Sequence, residues 1–231
     1  MNTNDTLALC YVRGYEERTQ SISLDPSLLE TPVQCLTEAQ RLQILSAGKR
    51  CGLKMHYFKD KTPLPRVSFV LSFFRAVVPE SLLDIGSGRG AFLLPFMREY
   101  PSVEVSVFDI LPHRVQLYLD MAKGGKENLC ASVSDITECT EGEGRYDVVT
   151  MLEVLEHIPN VERAVENAYR LARRYVVVTV PSHADDNPEH IHLLTKERLT
   201  ALFSAVGCQK LKFGNVSGHL TLIATKGEKN G

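Results

Sequence analysis

The chain has 231 residues, 44% hydrophobic and 23% charged, with no tryptophan, a balance that fits one folded globular core and excludes collagen-like, coiled-coil and disordered classes. Lys and Arg number 26 against 28 Asp and Glu, and the net charge of −2 leaves no global positive field to hold nucleic acid or an anionic membrane. Only a local basic patch stays open. Six cysteines (10, 35, 51, 130, 139, 208) form no C-x-x-C pair, which argues against a zinc knuckle or thioredoxin-like motif and reads as reduced thiols. Residues 1–5 carry neither the basic nor the apolar part of a signal peptide, and no apolar run approaches the roughly 18 residues of a membrane span, so a cytoplasmic location is expected.

In chain order, the first thirty-odd residues are polar and mixed and suggest no element. Thr37-x-x-Gln40 has the pattern of a capping box and opens a helix carrying Ala39, Leu42 and Leu45, limited by Gly48 and Gly52. Thr62-Pro63-Leu64-Pro65 breaks regular structure, after which Val67, Val70, Leu71, Phe74, Ala76 and Val77 recur at helical spacing up to Pro79. From Ser81 short apolar runs alternate with amphipathic segments, the signature of βαβ units. Strands are expected at 81–85, 104–109, 129–132, 146–151 and 175–180, and helices at 90–99, 112–123, 161–172 and 196–205. Two final strand-like runs, 208–216 and 219–224, are joined by Ser217-Gly218 as a hairpin. The topology predicted is α/β, a mostly parallel sheet closed by an antiparallel pair.

Between the first strand and its helix lies Leu83-Asp84-Ile85-Gly86-Ser87-Gly88-Arg89-Gly90-Ala91-Phe92. Glycines there either make a purely structural turn or let a ligand approach the backbone. The G-x-G-x-G spacing departs from the G-x-G-x-x-G of dinucleotide sites and speaks against a nicotinamide cofactor. Asp109, ending the next strand, suits the two hydroxyls of a ribose, or else caps the helix before Pro112. Asp135, after the third strand, suits an exocyclic amine, or is a solvated turn residue.

Taken together, LLDIGSGRGAF, Asp109, Ser134-Asp135-Ile136 and YDVVTMLEVLEHIPN resemble the class I S-adenosylmethionine-dependent methyltransferases in order and spacing, from about Ser81 to Lys226. The resemblance implies a Rossmann-like sandwich whose reversed last strand is the terminal hairpin, with S-adenosylmethionine as cofactor. It implies that Asp84, Gly86, Ser87, Gly88 and Gly90 surround the methionine part, that Asp109 holds the ribose, that Asp135 and Ile136 flank the adenine, and that Glu153 is a further cofactor contact. Residues 61–231 then form the cofactor-binding domain, and residues 1–60 a helical extension that, in such enzymes, often caps the substrate pocket.

The acceptor side should be built from the loops after the fourth and fifth strands, which hold Glu153, Glu156 and His157, then His183, Asp185, Asp186, Glu189, His190 and His192. Three readings of the E-V-L-E-H run stay open. It is structural; or His157 or His190 is a general base; or Glu153, Glu156, His157 and His190 hold a divalent metal, as in the small-RNA 2′-O-methyltransferases, which the run resembles. The same run resembles quinone-biosynthesis O-methyltransferases. Lys59, Lys61 and Arg66 beside Tyr57 and Phe58 form either a basic, aromatic patch at the pocket mouth or a solvated approach to a helix. His219 reaches the pocket from the hairpin or is simply packed. No cysteine is framed as a nucleophile.

The expected activity is methylation of an oxygen in a small or medium-sized molecule, because Met151-Leu152-Glu153-Val154 lacks the Asn/Asp-Pro-Pro-Tyr loop that often accompanies nitrogen acceptors. RNA ribose methylation with a metal is the alternative within the class, and a non-catalytic binding subunit the alternative outside it. A small-molecule partner is favoured over nucleic acid, no membrane association is expected, and the oligomeric state is left open.

Overall fold

The computed structural model describes residues 5–59, 62–184 and 186–227. Lys61 and Asp185, named above, lie outside these, as does the expected boundary at residues 60 and 61. The first segment does form an element: α1 (Thr6–Thr19) starts at Asp5, whose carboxylate accepts from the Leu7 and Ala8 amides. Leu7, Ala8, Leu9, Cys10 and Val12 are all buried, so apolar positions run around the helix and no 3.6-residue stripe betrays it. A short α2 (Pro26–Glu30) follows. In α3 (Glu38–Arg50) the Thr37–Gln40 capping box makes both of its reciprocal bonds. Next, α4 (Pro65–Ala76) buries Val67, Val70, Leu71 and Phe74, as their spacing predicts.

The α/β region runs β1 (Ser81–Ile85), α5 (Leu93–Glu99), β2 (Glu104–Asp109), α6 (Pro112–Lys123), β3 (Leu129–Val133), β4 (Tyr146–Leu152), α7 (Val161–Leu171), β5 (Ala172–Pro181), α8 (Lys196–Ala205), β6 (Lys210–Val216) and β7 (His219–Thr225). Two boundaries depart from the periodicity by three residues, and β6 starts two residues later than expected. Helix α5 begins at Leu93, not Gly90, because Gly86, Gly88 and Gly90 all adopt positive φ and hold the preceding segment out of helix. Strand β5 begins at Ala172, where the helix was expected to end, and Arg173 there reaches the Asp147 carboxylate at 2.5 Å.

Strand order is β3-β2-β1-β4-β5-β7-β6, with β1 to β5 parallel and β7 antiparallel to both neighbours. Alternate strand residues feed two cores. Leu82, Val105, Val107, Val148 and Val177 face a layer that includes α1, α3, α4, α5 and α6. Leu83, Ile85, Val149, Met151, Val176 and Val178 face α7 and α8. Helix α1 lies directly on α6. A Cβ on Gly14 would stand 1.7 Å from the Asp120 carbonyl oxygen, and one on Gly124 would stand 1.9 Å from that of Cys10. Arg18 grips the Asp120 carboxylate through two bonds of 2.7 and 2.9 Å. Thus the N-terminal segment shares the core of the sheet. Among the described residues, no helix is long and apolar enough to cross a membrane.

Candidate active site

The strand order reverses between β1 and β4, and a crevice opens there at the carboxyl ends of the strands. Two cavities of about 310 and 570 Å³ meet in it, sharing Gly86, Arg114, Glu153 and His157. The smaller is walled by Asp84, Ser87, Gly88, Arg66 and Thr179; the larger by Asp109, Asp135, Ile136, Val154 and Asn160.

The glycine loop is pinned from several sides. Its Gly86 amide donates to the Phe108 carbonyl at 2.7 Å, the Gly88 amide to Asp109 Oδ2 at 3.1 Å, and the Ser87 hydroxyl to the Asp84 carbonyl at 3.2 Å. From beneath, the buried Tyr118 hydroxyl donates to the Ser87 and Gly88 carbonyls at 3.2 and 3.4 Å. Burial holds that phenol well above its ordinary range, so it stays a donor. Gly90 differs from its companions: it is buried against Leu94, whose Cγ would lie 2.6 Å from an added Cβ, and it lines neither cavity. Its role is to let the chain turn.

Asp84 is buried, and its carboxylate accepts from the Thr150 hydroxyl at 2.6 Å. Burial pushes its pKa up to about 6, against the lowering effect of the Ser87 and Thr150 hydrogen bonds and with a smaller push from Asp109. Asp109 is also buried, and its other oxygen accepts from the Leu111 amide at 2.9 Å. Arg114 stands 3.9 Å away. Asp109 does not cap α6, whose first turn has no side-chain cap. Asp135 does act as a turn residue, accepting from the Thr137 amide and hydroxyl at 2.8 Å each, while lining the larger cavity beside Ile136. Arg114, Tyr118, Thr150 and Thr179 escaped the sequence reading, since nothing in their spacing marks them.

On the acceptor side, Glu153 follows β4 in a left-handed backbone conformation, φ 59°, that side chains other than glycine adopt at a cost. Several neighbours hold it there. Its amide donates to the Thr179 carbonyl at 2.9 Å, Oε1 accepts from the Thr179 hydroxyl at 2.7 Å, and Oε2 lies 3.1 Å from His219 Nε2. His219 Nδ1 lies 2.9 Å from the Ser217 carbonyl oxygen, so both ring nitrogens face oxygen atoms. The Arg66 guanidinium is 3.9 Å from Glu153. Thus His219 reaches the site through Glu153 and is not itself part of the wall.

His157 lines both cavities, with Nδ1 at 2.9 Å from the Glu189 carbonyl oxygen. His190 sits against it, ring centres 4.8 Å apart. The two meet because the Glu156 carbonyl accepts from the Ile191 and His192 amides, strapping the post-β5 loop onto the short 3-10 turn Leu155–His157. One ligand atom each of Glu156, His157 and His190 lies within 4.8 Å of the others, a set that fits a divalent cation. Glu153, the expected fourth ligand, is instead engaged with Thr179 and His219. His183 and Asp186 are exposed and line neither cavity. Of the residues read either as a basic, aromatic patch or as a solvated approach to a helix, Lys59 is exposed, Phe58 is buried on Tyr11 with ring centres 5.4 Å apart, Arg66 faces the crevice and Tyr57 lines a separate cavity.

A methyltransferase-domain family model matches residues 65–212. Ajmaline N-methyltransferase of Rauvolfia serpentina is 24% identical over 152 residues, 63% of this chain and 51% of that protein. The malonyl-[acyl-carrier protein] O-methyltransferase of Geobacter sulfurreducens is 28% identical over 101 residues, 44% of this chain and 38% of that protein. The chain therefore spans about half, or less, of the length of these curated relatives. Among solved structures, the 1,6-didemethyltoxoflavin-N1-methyltransferase of Burkholderia thailandensis, with 1,6-didemethyltoxoflavin and S-adenosylhomocysteine bound, matches with a TM-score of 0.57 at 19% identity, over 80% of this chain and 86% of that one. With a family match across most of its length and a sheet of the corresponding topology, the chain belongs to the class I S-adenosylmethionine-dependent methyltransferases.

Proposed function

We infer that this enzyme methylates an oxygen of a small or medium-sized acceptor. The observation that carries the reading is the acceptor side of the crevice, where His157 and the Glu153–Thr179–His219 network adjoin the glycine loop. Bound S-adenosylmethionine supplies an electrophilic methyl group on a sulfonium. Residues of the chain position the two partners: Asp109 and Asp135 toward the ribose and adenine, Asp84 and the Ser87 and Gly88 backbone toward the methionine part. Displacement at the methyl carbon forms one oxygen–carbon bond, breaks one sulfur–carbon bond and releases the hydroxyl proton. His157 is the imidazole on the cavity wall, with its Nε2 turned away from the Glu189 contact to receive that proton; His190 backs its ring.

Incubation with methyl-labelled S-adenosylmethionine and panels of phenols, carboxylic acids and amines tests this. Label is expected on oxygen, and transfer from wild type to amines alone would overturn the reading. Asp109→Ala should weaken S-adenosylhomocysteine binding at least tenfold by calorimetry, since it removes a ribose acceptor and the clamp on Gly88.

A second reading has its own support in the convergence of Glu156, His157 and His190: a divalent cation there would lower the pKa of an acceptor hydroxyl, such as that of an RNA ribose. Chelator-resistant transfer, with Glu156→Gln and His190→Asn still active, excludes it.

A further inference from the structure

Beside the cofactor crevice lies a separate cavity of about 290 Å³, between α1, the segment 52–57 and the start of α6. It touches the crevice only at the outer edge of the glycine loop, through Gly88, Arg89 and Arg114. Its makeup differs from that of the rest of the surface. Three half-buried tyrosines, Tyr11, Tyr15 and Tyr57, line it with ring surface and hydroxyl donors; Tyr11 stacks on Phe58 behind, and the Arg18 guanidinium lies 5.0 Å from the centre of the Tyr15 ring. Burial pushes the Tyr11 phenol up to about 12, so it donates across the working range of pH.

The charges around those rings are uneven. Some cations of the chain are matched with acids, such as Arg75 with Glu99, Arg98 with Asp5 and Arg163 with Glu166, and others, such as Arg41 and Arg170, bond only to carbonyl oxygens. Here Lys54, Arg89 and His113 face the cavity without a carboxylate partner among the described residues, and Arg114 approaches one no nearer than 3.9 Å. The one acid in the wall, Asp120, is offset in charge by its two bonds from Arg18 and accepts a third, 2.8 Å, from the Gln116 side-chain amide. Helix α6 lines the cavity along its first turns, from His113 to Asp120, and its first turn has no side-chain cap. In a chain of net charge −2, this wall carries Lys54, Arg89 and Arg114 beside one acid that Arg18 offsets, together with tyrosine rings.

We propose that this cavity binds a phosphate monoester carried on an aromatic or heterocyclic body, the ring on the tyrosines and the phosphate among Lys54, Arg89, His113 and Arg114. A dianion matches several converging cations better than a carboxylate does, and charge-assisted bonds to guanidinium are the strong ones. The ligand lies outside the cofactor crevice and binds alongside the cofactor.

Calorimetry on the full chain tests this with phenyl phosphate, inorganic phosphate and benzoate as probes. Phenyl phosphate is expected to bind one to one, at least tenfold tighter than either other probe, and to keep binding when S-adenosylhomocysteine is saturating. Lys54→Met and Tyr15→Leu should each weaken it at least fivefold while S-adenosylhomocysteine affinity stays within twofold, which shows that the variants are folded. Displacement of phenyl phosphate by S-adenosylhomocysteine would place it in the crevice and overturn the proposal. Equal affinity for inorganic phosphate or benzoate would overturn the ligand class, and unchanged binding in both variants would overturn the location.

Discussion

Asp84 keeps its proton to higher pH than a carboxyl in the unfolded chain, because burial beneath the glycine loop disfavours its charge. A raised folded-state pKa means that the native chain binds the proton more tightly. Its contribution to stability is therefore present below pH 4 and lost as pH rises from about 4 to about 6, by up to about 3 kcal/mol. Urea titrations of the ligand-free protein should show that loss, and Asp84→Asn should flatten it while weakening S-adenosylhomocysteine at least tenfold. An unchanged slope in the variant would refute the assignment. Glu153 offers a second test at this scale. Both Glu153→Ala and Glu153→Gly lose the bonds to Thr179 and His219, but only glycine is at ease at φ 59°, so the glycine variant should be the more stable by about 1 kcal/mol in denaturant melts. The cofactor residues were legible because glycine spacing and strand-end acids are local patterns. The Glu153–Thr179–His219 network was not, since its members sit on three strand ends that only the folded sheet brings together.

Among the elements, α7 shows what periodicity can reveal: Val161, Ala164, Val165, Ala168 and Leu171 make one clean stripe, and all are buried. Helix α1 shows the limit. Its start was written in Asp5, but its buried residues surround the axis, because α3 and α6 and the turn after α2 enclose it, and a pattern search reads such a segment as mixed. Its seat on α6 depends on two glycines. Gly124→Ala would drive a methyl group into the Cys10 carbonyl and force the helices apart, costing about 2 to 4 kcal/mol in chemical denaturation. Gly142→Ala, where an added Cβ meets nothing within 4 Å, is the control and should stay within about 0.5 kcal/mol.

At the scale of the molecule, the family match begins at residue 65, yet the core does not. Removing residues 1–20 would expose the faces of α3 and α6 and strip Asp120 and Arg98 of their partners, Arg18 and Asp5. The shortened chain is expected to lose its cooperative thermal transition by circular dichroism; a sharp transition near that of the full chain would show the extension to be dispensable. The net charge of −2 left room for a local basic patch, and the fold places Lys54, Arg89 and Arg114 around one cavity. The sheet's two free edges are unequal. Strand β6 carries Lys210 and Lys212, charges that discourage pairing with another copy, whereas β3 is the uncharged run Leu-Cys-Ala-Ser-Val with Cys130 and Val133 exposed. Of the two edges, β3 is the one whose backbone no charge guards, and its Cys130 is, with Cys35 and Cys51, an exposed thiol. If copies pair through β3, air-oxidised protein on non-reducing gels should lose its dimer band with Cys130→Ser and keep it with Cys35→Ser and Cys51→Ser.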